Sequence, residues 1–226
     1  MTTAGPGRPR LTTRRRPGAT AQAEILDAAA ELFTTKGFSS TSTRQIAEMV
    51  GMRQASLYHH FATKDDILAA LLDKTVSAPM DLATRLLERG EPAAVRLYAL
   101  ILFDAGQLMS GRWNLGALYL LPELRTDRFT QFRGERQLLR ERYATLAAAV
   151  LRQLDADGTE RAGLPFRIVE TVISVRSDVE GGEAPCPGLG SPTLLADAGL
   201  RVLGWTDVES LRAAAGAVLA ECADGD

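Results

Sequence analysis

The sequence of 226 residues is poor in the groups that catalysis, metal binding and covalent stapling require. Histidine occurs twice, as the adjacent pair His59 and His60. No Ser/His/Asp or Cys/His set can be assembled around that pair, and no glycine-rich phosphate loop follows a strand pattern. The chain therefore reads as no enzyme, with no catalytic residue and no cofactor. Neighbouring residues on a helix diverge by about 100 degrees, so the two imidazoles do not chelate one ion, and no metal site is expected. Two cysteines, Cys186 and Cys222, are too few for a disulfide framework and lack the paired spacing of zinc sites, so they read as reduced thiols. No apolar run approaches the roughly eighteen residues of a membrane span, and the Gly-, Pro- and Arg-rich start has no hydrophobic leader segment. A soluble, cytoplasmic protein with no membrane partner is expected. Alternating strand patterns and internal repeats are also missing.

What is present is an apolar fraction of 46%, enough for a sizeable core, and an uneven charge distribution beneath the net −2. Residues 1–64 hold nine Lys and Arg against four Asp and Glu, or +5; the rest holds 17 against 24, or −7. A basic head on an acidic body suggests that the head meets a polyanion. Residues 1–19 carry Arg8, Arg10, Arg14, Arg15 and Arg16 among Gly, Pro and Thr, and read as a disordered basic arm. Gly7-Arg8-Pro9-Arg10 resembles the minor-groove core of AT-hook peptides; insertion into the minor groove and loose attraction to phosphates both remain open.

After the arm the periodicity is helical. Ile25, Ala28, Ala29, Leu32 and Phe33 form one stripe that stops at Lys36-Gly37. Ser42 and Gln45 are spaced as a capping box for a short second helix with Ile46, Ala47 and Val50 inward, ended by Gly51. A third short helix begins near Gln54 and buries Leu57 and Phe61, and Thr63 caps a fourth that runs through Ile67, Leu68, Leu71 and Leu72. Two short helices about a tight turn, braced by longer ones, form a DNA-reading unit. Further helices are expected at Pro92 to Met109, Trp113 to Leu121, Arg128 to Leu154, Pro165 to Ser177, Pro192 to Leu203 and Asp207 to Cys222.

A recognition helix anchors one face with apolar side chains and offers the other to the major groove. Leu57 and Phe61 are the anchors; Arg53, Gln54, Ala55, Tyr58 and His59 lie on the groove side. Gln suits the adenine N6 and N7 edge, Arg the guanine O6 and N7 edge, and Ala a thymine methyl. The run Ser42-Thr43-Arg44-Gln45-Ile46-Ala47, Gly51, Ser56-Leu57-Tyr58-His59-His60-Phe61 and Lys64-Asp65-Asp66-Ile67-Leu68 closely resembles the DNA-binding domain of the TetR family of one-component regulators. The resemblance covers about residues 21–72. It implies backbone or groove-wall contacts from Ser42, Thr43, Arg44, Ser56, Tyr58, His59, His60 and Lys64, whose groups suit phosphate oxygens. The family usually has Ser or Thr where Arg53 stands; either the recognition helix has a weaker cap or Arg53 is kept for a base contact.

The expected fold is therefore all-α. A three-helix helix-turn-helix DNA-binding domain (residues 20–72) is joined by a fourth helix to a C-terminal helical ligand-binding and dimerisation domain (73–226). For the ligand, Phe103, Gln107, Trp113, Asn114 and Tyr119 combine apolar bulk with a few polar groups, which favours a hydrophobic or aromatic small-molecule effector. For the homodimer, the resemblance implies two late helices, with Phe166, Val169, Val172 and Ile173 on one and Leu211, Ala215, Val218 and Leu219 on the other. The functional expectation is a dimeric regulator, read as a repressor, released from a palindromic double-stranded DNA operator by that effector. The alternative is a dimeric DNA-binding module without an effector, controlled by a protein partner or by abundance.

Overall fold

A computed structural model describes residues 16–17, 19–156, 158–184 and 188–224. Arg8, Arg10 and Cys186 lie outside the described residues. Among those described, the chain is helical with no strand, and it divides into two compact units, the first ending at Leu68 and the second beginning at Ala69.

In the first unit, α1 (Ala21–Thr35) starts where Thr20 accepts the Ala23 N–H at 3.1 Å, and its stripe Ile25, Ala28, Ala29, Leu32 and Phe33 is buried. The chain leaves it through Gly37 at φ +88°, a left-handed turn that a side chain would strain. Helix α2 (Thr43–Val50) has the full capping box: the Ser42 N–H donates to Gln45 Oε1 at 2.8 Å, and the Gln45 N–H to Ser42 Oγ at 3.2 Å. Gly51, also left-handed, ends it. Helix α3 (Gln54–Tyr58) follows, then α4 (Lys64–Glu88), whose first turn is closed by reciprocal bonds between Thr63 and Asp66. Arg16 departs from the arm expected on composition. Its side chain is 11% exposed, and its guanidinium clamps α1, pairing with Asp27 at 2.5 Å and with Glu31.

The second unit is built round α5 (Ala93–Ser110), which packs against α6 (Thr130–Gln153), α7 (Leu164–Glu180), α8 (Pro192–Arg201) and α9 (Glu209–Asp224). Although α5 is 18 residues long and apolar enough to cross a membrane, contrary to the reading that no such run exists, 56% of it is buried in this core. Polar clasps fix the packing. Tyr98 on α5 donates to Asp197 on α8 at 2.8 Å, and Arg212 on α9 reaches the same carboxylate at 2.6 Å. Gly199 lets α8 approach α5, since a Cβ there would lie 2.6 Å from Ile101 Cδ1.

One expectation is corrected here. Trp113 to Leu121 is not an α-helix but opens a series of 3₁₀ turns, Leu115–Leu120, Pro122–Arg125 and Asp127–Phe129. The buried Asn114 amide donates to Ile173 O and Ser177 Oγ, each at 3.0 Å, and Pro122 lacks the N–H that a continuing helix would use. Of the residues expected at a dimer contact, Phe166, Val169, Val172, Leu211, Ala215 and Val218 are buried in the chain's own core. Ile173 and Leu219 are half-buried, and Ile173 packs on Gly116.

That last contact yields a test. A Cβ at position 116 would sit 2.5 Å from Ile173 Cγ1, so Gly116→Ala should lower stability by about 1–3 kcal/mol in urea melts. Combined with Ile173→Ala, the two losses should total less than their sum, because the second substitution removes the obstructing atoms.

Candidate nucleic-acid interface and effector cavity

The α2–α3 surface separates its residues by face. Leu57 is fully buried and Phe61 nearly so, while Arg53, Gln54, Ala55, Ser56, Tyr58, His59 and His60 are exposed, as are Ser42 and Arg44. The first turn of α3 begins at Arg53 in extended conformation with no side-chain cap, which leaves the Arg53 guanidinium to solvent. Three side chains interlock on this face. Gln54 Nε2 donates to Thr43 Oγ1 at 2.9 Å and to Tyr58 Oη at 3.3 Å, and the two hydroxyls lie 3.1 Å apart. The amide that suits adenine is thus held against the two hydroxyls that suit phosphate. Arg44 is exposed and pairs along its own helix with Glu48 at 2.8 Å.

Lys64 has a structural role that the sequence reading missed. Its ammonium donates to the carbonyls of Phe38 at 2.8 Å and Thr41 at 2.9 Å and lies 4.1 Å from the centre of the Phe38 ring. Two of its three protons are occupied within the chain, so only the third is free for a phosphate.

The five expected effector residues are not brought into one cavity. Phe103 borders a cavity of about 590 Å³ with Leu82, Leu219 and Cys222, whereas Gln107 and Trp113 border another of about 170 Å³ with Lys74 and Thr75. Asn114 borders neither, because its amide pins the 3₁₀ segment to α7. Helical period gave their spacing but not their direction, and the break at Gly111 to Asn114 turned them apart.

Tyr119 does open onto a cavity, of about 320 Å³, between the 3₁₀ turns, α6 and α7. Its apolar surface comes from Tyr119, Leu121, Leu124, Phe132 and Phe166, and its polar surface from Gln137 and the arginines 125, 133, 136 and 140. The arginines were missed; Arg133, Arg136 and Arg140 fall at i, i+3 and i+7 on α6, a visible signal that one helix face presents them together.

Behind Tyr119, Arg136 and Phe166 lies a buried polar network. Tyr119 donates to Thr75 Oγ1 at 2.7 Å, and Gln107 Nε2 donates to Thr75 O at 3.0 Å and to Asp104 Oδ1 at 3.1 Å. Tyr143 donates to Asp104 Oδ2 at 2.9 Å. The Gln107 bond has a reason in the sequence. Pro79 stands inside α4 without an N–H, so the carbonyl four residues earlier, that of Thr75, has no helical partner, and Gln107 supplies one. Burial pushes the Asp104 carboxyl up to about 6, against the opposing bonds from Tyr143 and Gln107, and the charge of Glu170 adds to the rise. Burial likewise raises the Tyr119 hydroxyl, so it stays protonated as a donor.

Comparison with known proteins agrees with this layout. The family model for bacterial regulatory proteins of the tetR family matches residues 25–71. The crystal structure of Mycobacterium smegmatis AmtR is 57% identical, with a TM-score of 0.85 over 92% of this chain and 98% of that one. The transcriptional repressor KstR2 of Rhodococcus jostii is 46% identical over 54 residues, 22% of this chain and 26% of that protein, so the chain spans about a quarter of this curated relative. AibR, solved with isovaleryl coenzyme A and operator DNA, shares the fold at 18% identity and a TM-score of 0.63, over 79% of this chain and 95% of its own.

The Asp104 carboxyl gives a pH signature. Its folded pKa lies above the ordinary 3.8, so its stabilising contribution is complete below that value and is lost as pH rises through about 6. Relative to Asp104→Asn, the native chain should lose about 2 kcal/mol of stability between pH 4 and pH 8, measured by urea melts at each pH. Parallel profiles for the two proteins would contradict the assignment.

Proposed function

Because the chain belongs to the TetR family of bacterial transcriptional regulators, we propose that it is a dimeric repressor, released from a palindromic DNA operator by a small molecule. The observation that carries the DNA reading is the division of α3 and the turn after it: Leu57 and Phe61 buried, Gln54, Ala55, Tyr58 and His59 exposed. In this reading residues 20–72 form the reading head. Gln54, Ala55 and Arg53 address base edges, and Ser42, Thr43, Arg44, Ser56, Tyr58, His59, His60 and the remaining proton of Lys64 address the backbone. Arg8 and Arg10 reach phosphates or the minor groove. The protein works in the cytoplasm by binding and not by catalysis.

Residues 73–226 hold the effector and the dimer contact. The effector has a hydrophobic or aromatic body, and Tyr119 is the expected residue that borders the cavity between the 3₁₀ turns and α6. That the same fold holds both an acyl thioester and operator DNA in AibR supports a sensing role. Dimerisation uses α7 and α9; on the outer face of α7, Leu164 is 40% and Val179 47% exposed. A second reading, control by a protein partner or by abundance without an effector, is favoured by one observation: the Asn114 and Gln107 amides are bonded within the core and line no common pocket.

Selection from random DNA tests the proposal. The recovered sites should be palindromes with half-sites about one helical turn apart, roughly 34–36 Å, or a multiple. Gln54→Ala should cost about 1–3 kcal/mol on the selected operator alone. His59→Ala should weaken all sequences alike and flatten the salt slope by up to about one unit. Recovery of no palindrome, or a one-to-one complex by sedimentation, would refute it.

A further inference from the structure

The cavity between the 3₁₀ turns and α6 is lined by four arginines and by no aspartate or glutamate. Their bonds leave most of that charge unbalanced. Arg133 donates to the carbonyls of Leu124 at 2.5 Å and Thr126 at 2.6 Å, and Arg140 donates to the Gln137 amide oxygen, all neutral acceptors. Arg136 pairs with Glu170, but Arg167 shares that carboxylate at 2.5 Å, and the buried Arg136 Nε has no hydrogen-bond acceptor. Arg125 is exposed at the rim. Beneath these heads lies an apolar floor in which Leu124, Phe132 and Phe166 are buried.

We propose that the effector of this chain is a compact organic anion, a carboxylate or phosphate on a short apolar body, seated in this cavity. The inference rests on the effector reading above and narrows it from a hydrophobic molecule to an amphiphilic acid. Concave positive charge beside low-dielectric walls concentrates anions, and guanidinium groups match the planar, two-oxygen edge of carboxylate and phosphate. A neutral apolar ligand would strip water from the arginine heads and return nothing. A volume of about 320 Å³ stands at the low end for ligand pockets, which selects a small body. Occupancy also has a route inward. The Arg136 guanidinium stacks 4.8 Å from the centre of the Tyr119 ring, and the Tyr119 hydroxyl is bonded to Thr75 on α4.

The test is calorimetric titration of the full-length protein with hexanoate, hexyl phosphate and the neutral hexanamide. At least one anion should bind about tenfold or more tighter than hexanamide, the range of a charge-assisted hydrogen bond, and the ratio between the two anions identifies the head group. The double variant Arg125→Gln/Arg140→Gln, whose two side chains carry no ion pair with a carboxylate here, should lose that preference while its hexanamide affinity stays the same. Equal affinity for hexanamide, an undiminished preference in the double variant, or failure of both anions to bind at millimolar concentration would overturn the inference. Operator release is measured separately on the selected DNA. Release by hexanamide but not by the anions keeps the effector reading and removes the anion; binding of an anion without release keeps the anion site and removes its effector role.

Discussion

Helix α4 has to remain continuous from Lys64 to Glu88 although Pro79 interrupts its hydrogen bonding, and much of the second unit's polar interior is arranged around that requirement. A proline inside a helix costs about 3 kcal/mol, partly because the carbonyl one turn earlier loses its donor. Here that carbonyl, of Thr75, receives the Gln107 amide, and the Thr75 hydroxyl receives Tyr119. Gln107 is held in turn by Asp104, and Asp104 by Tyr143. Removing one member of such a network leaves buried polar groups unsatisfied, which makes the set behave as a unit. At its other end the same helix is tied by Lys64 to the carbonyls of Phe38 and Thr41. The same helix therefore carries, in the first unit, a bond to the loop before α2 and, in the second, a bond to the wall of the arginine-lined cavity.

The reading head depends on simpler means. A capping box starts α2, a left-handed glycine ends it, and two buried side chains four apart hold the one-and-a-half turns of α3 in place. So short a helix is not stable alone. Its anchors supply the stability and leave the outward positions exposed. The bonding of Gln54 with Thr43 and Tyr58 orders those side chains in the free protein, which in the proposed DNA reading lowers the side-chain entropy lost on binding.

These features differ in how far the sequence alone disclosed them, and range is the reason. Ser42 with Gln45, Gly51, and Leu57 with Phe61 act within a turn or two, so residue type and spacing determine them. An apolar stripe such as Phe166, Val169 and Val172 states that one face is buried but not against what, and the structure turned it onto the chain's own core. The bond from Gln107 to Thr75 O spans 32 positions and that from Lys64 to Phe38 O spans 26, and no local pattern marks either. The expected effector residues border separate cavities for a related reason. Between Gly111 and Asn114 the helical period ends, and spacing read across such a break no longer predicts a shared face.

Hydrogen exchange with and without the selected operator tests most directly whether α4 couples the proposed DNA site to the proposed effector cavity, since linkage requires that the two ligands influence each other equally through whatever couples them. The account predicts that operator binding protects residues 42–64 and also alters exchange in α4 around Thr75, and that Tyr119→Phe abolishes the second change while leaving the first. Protection limited to residues 42–64 in the native chain, with α4 beyond Leu72 unaffected, would contradict it.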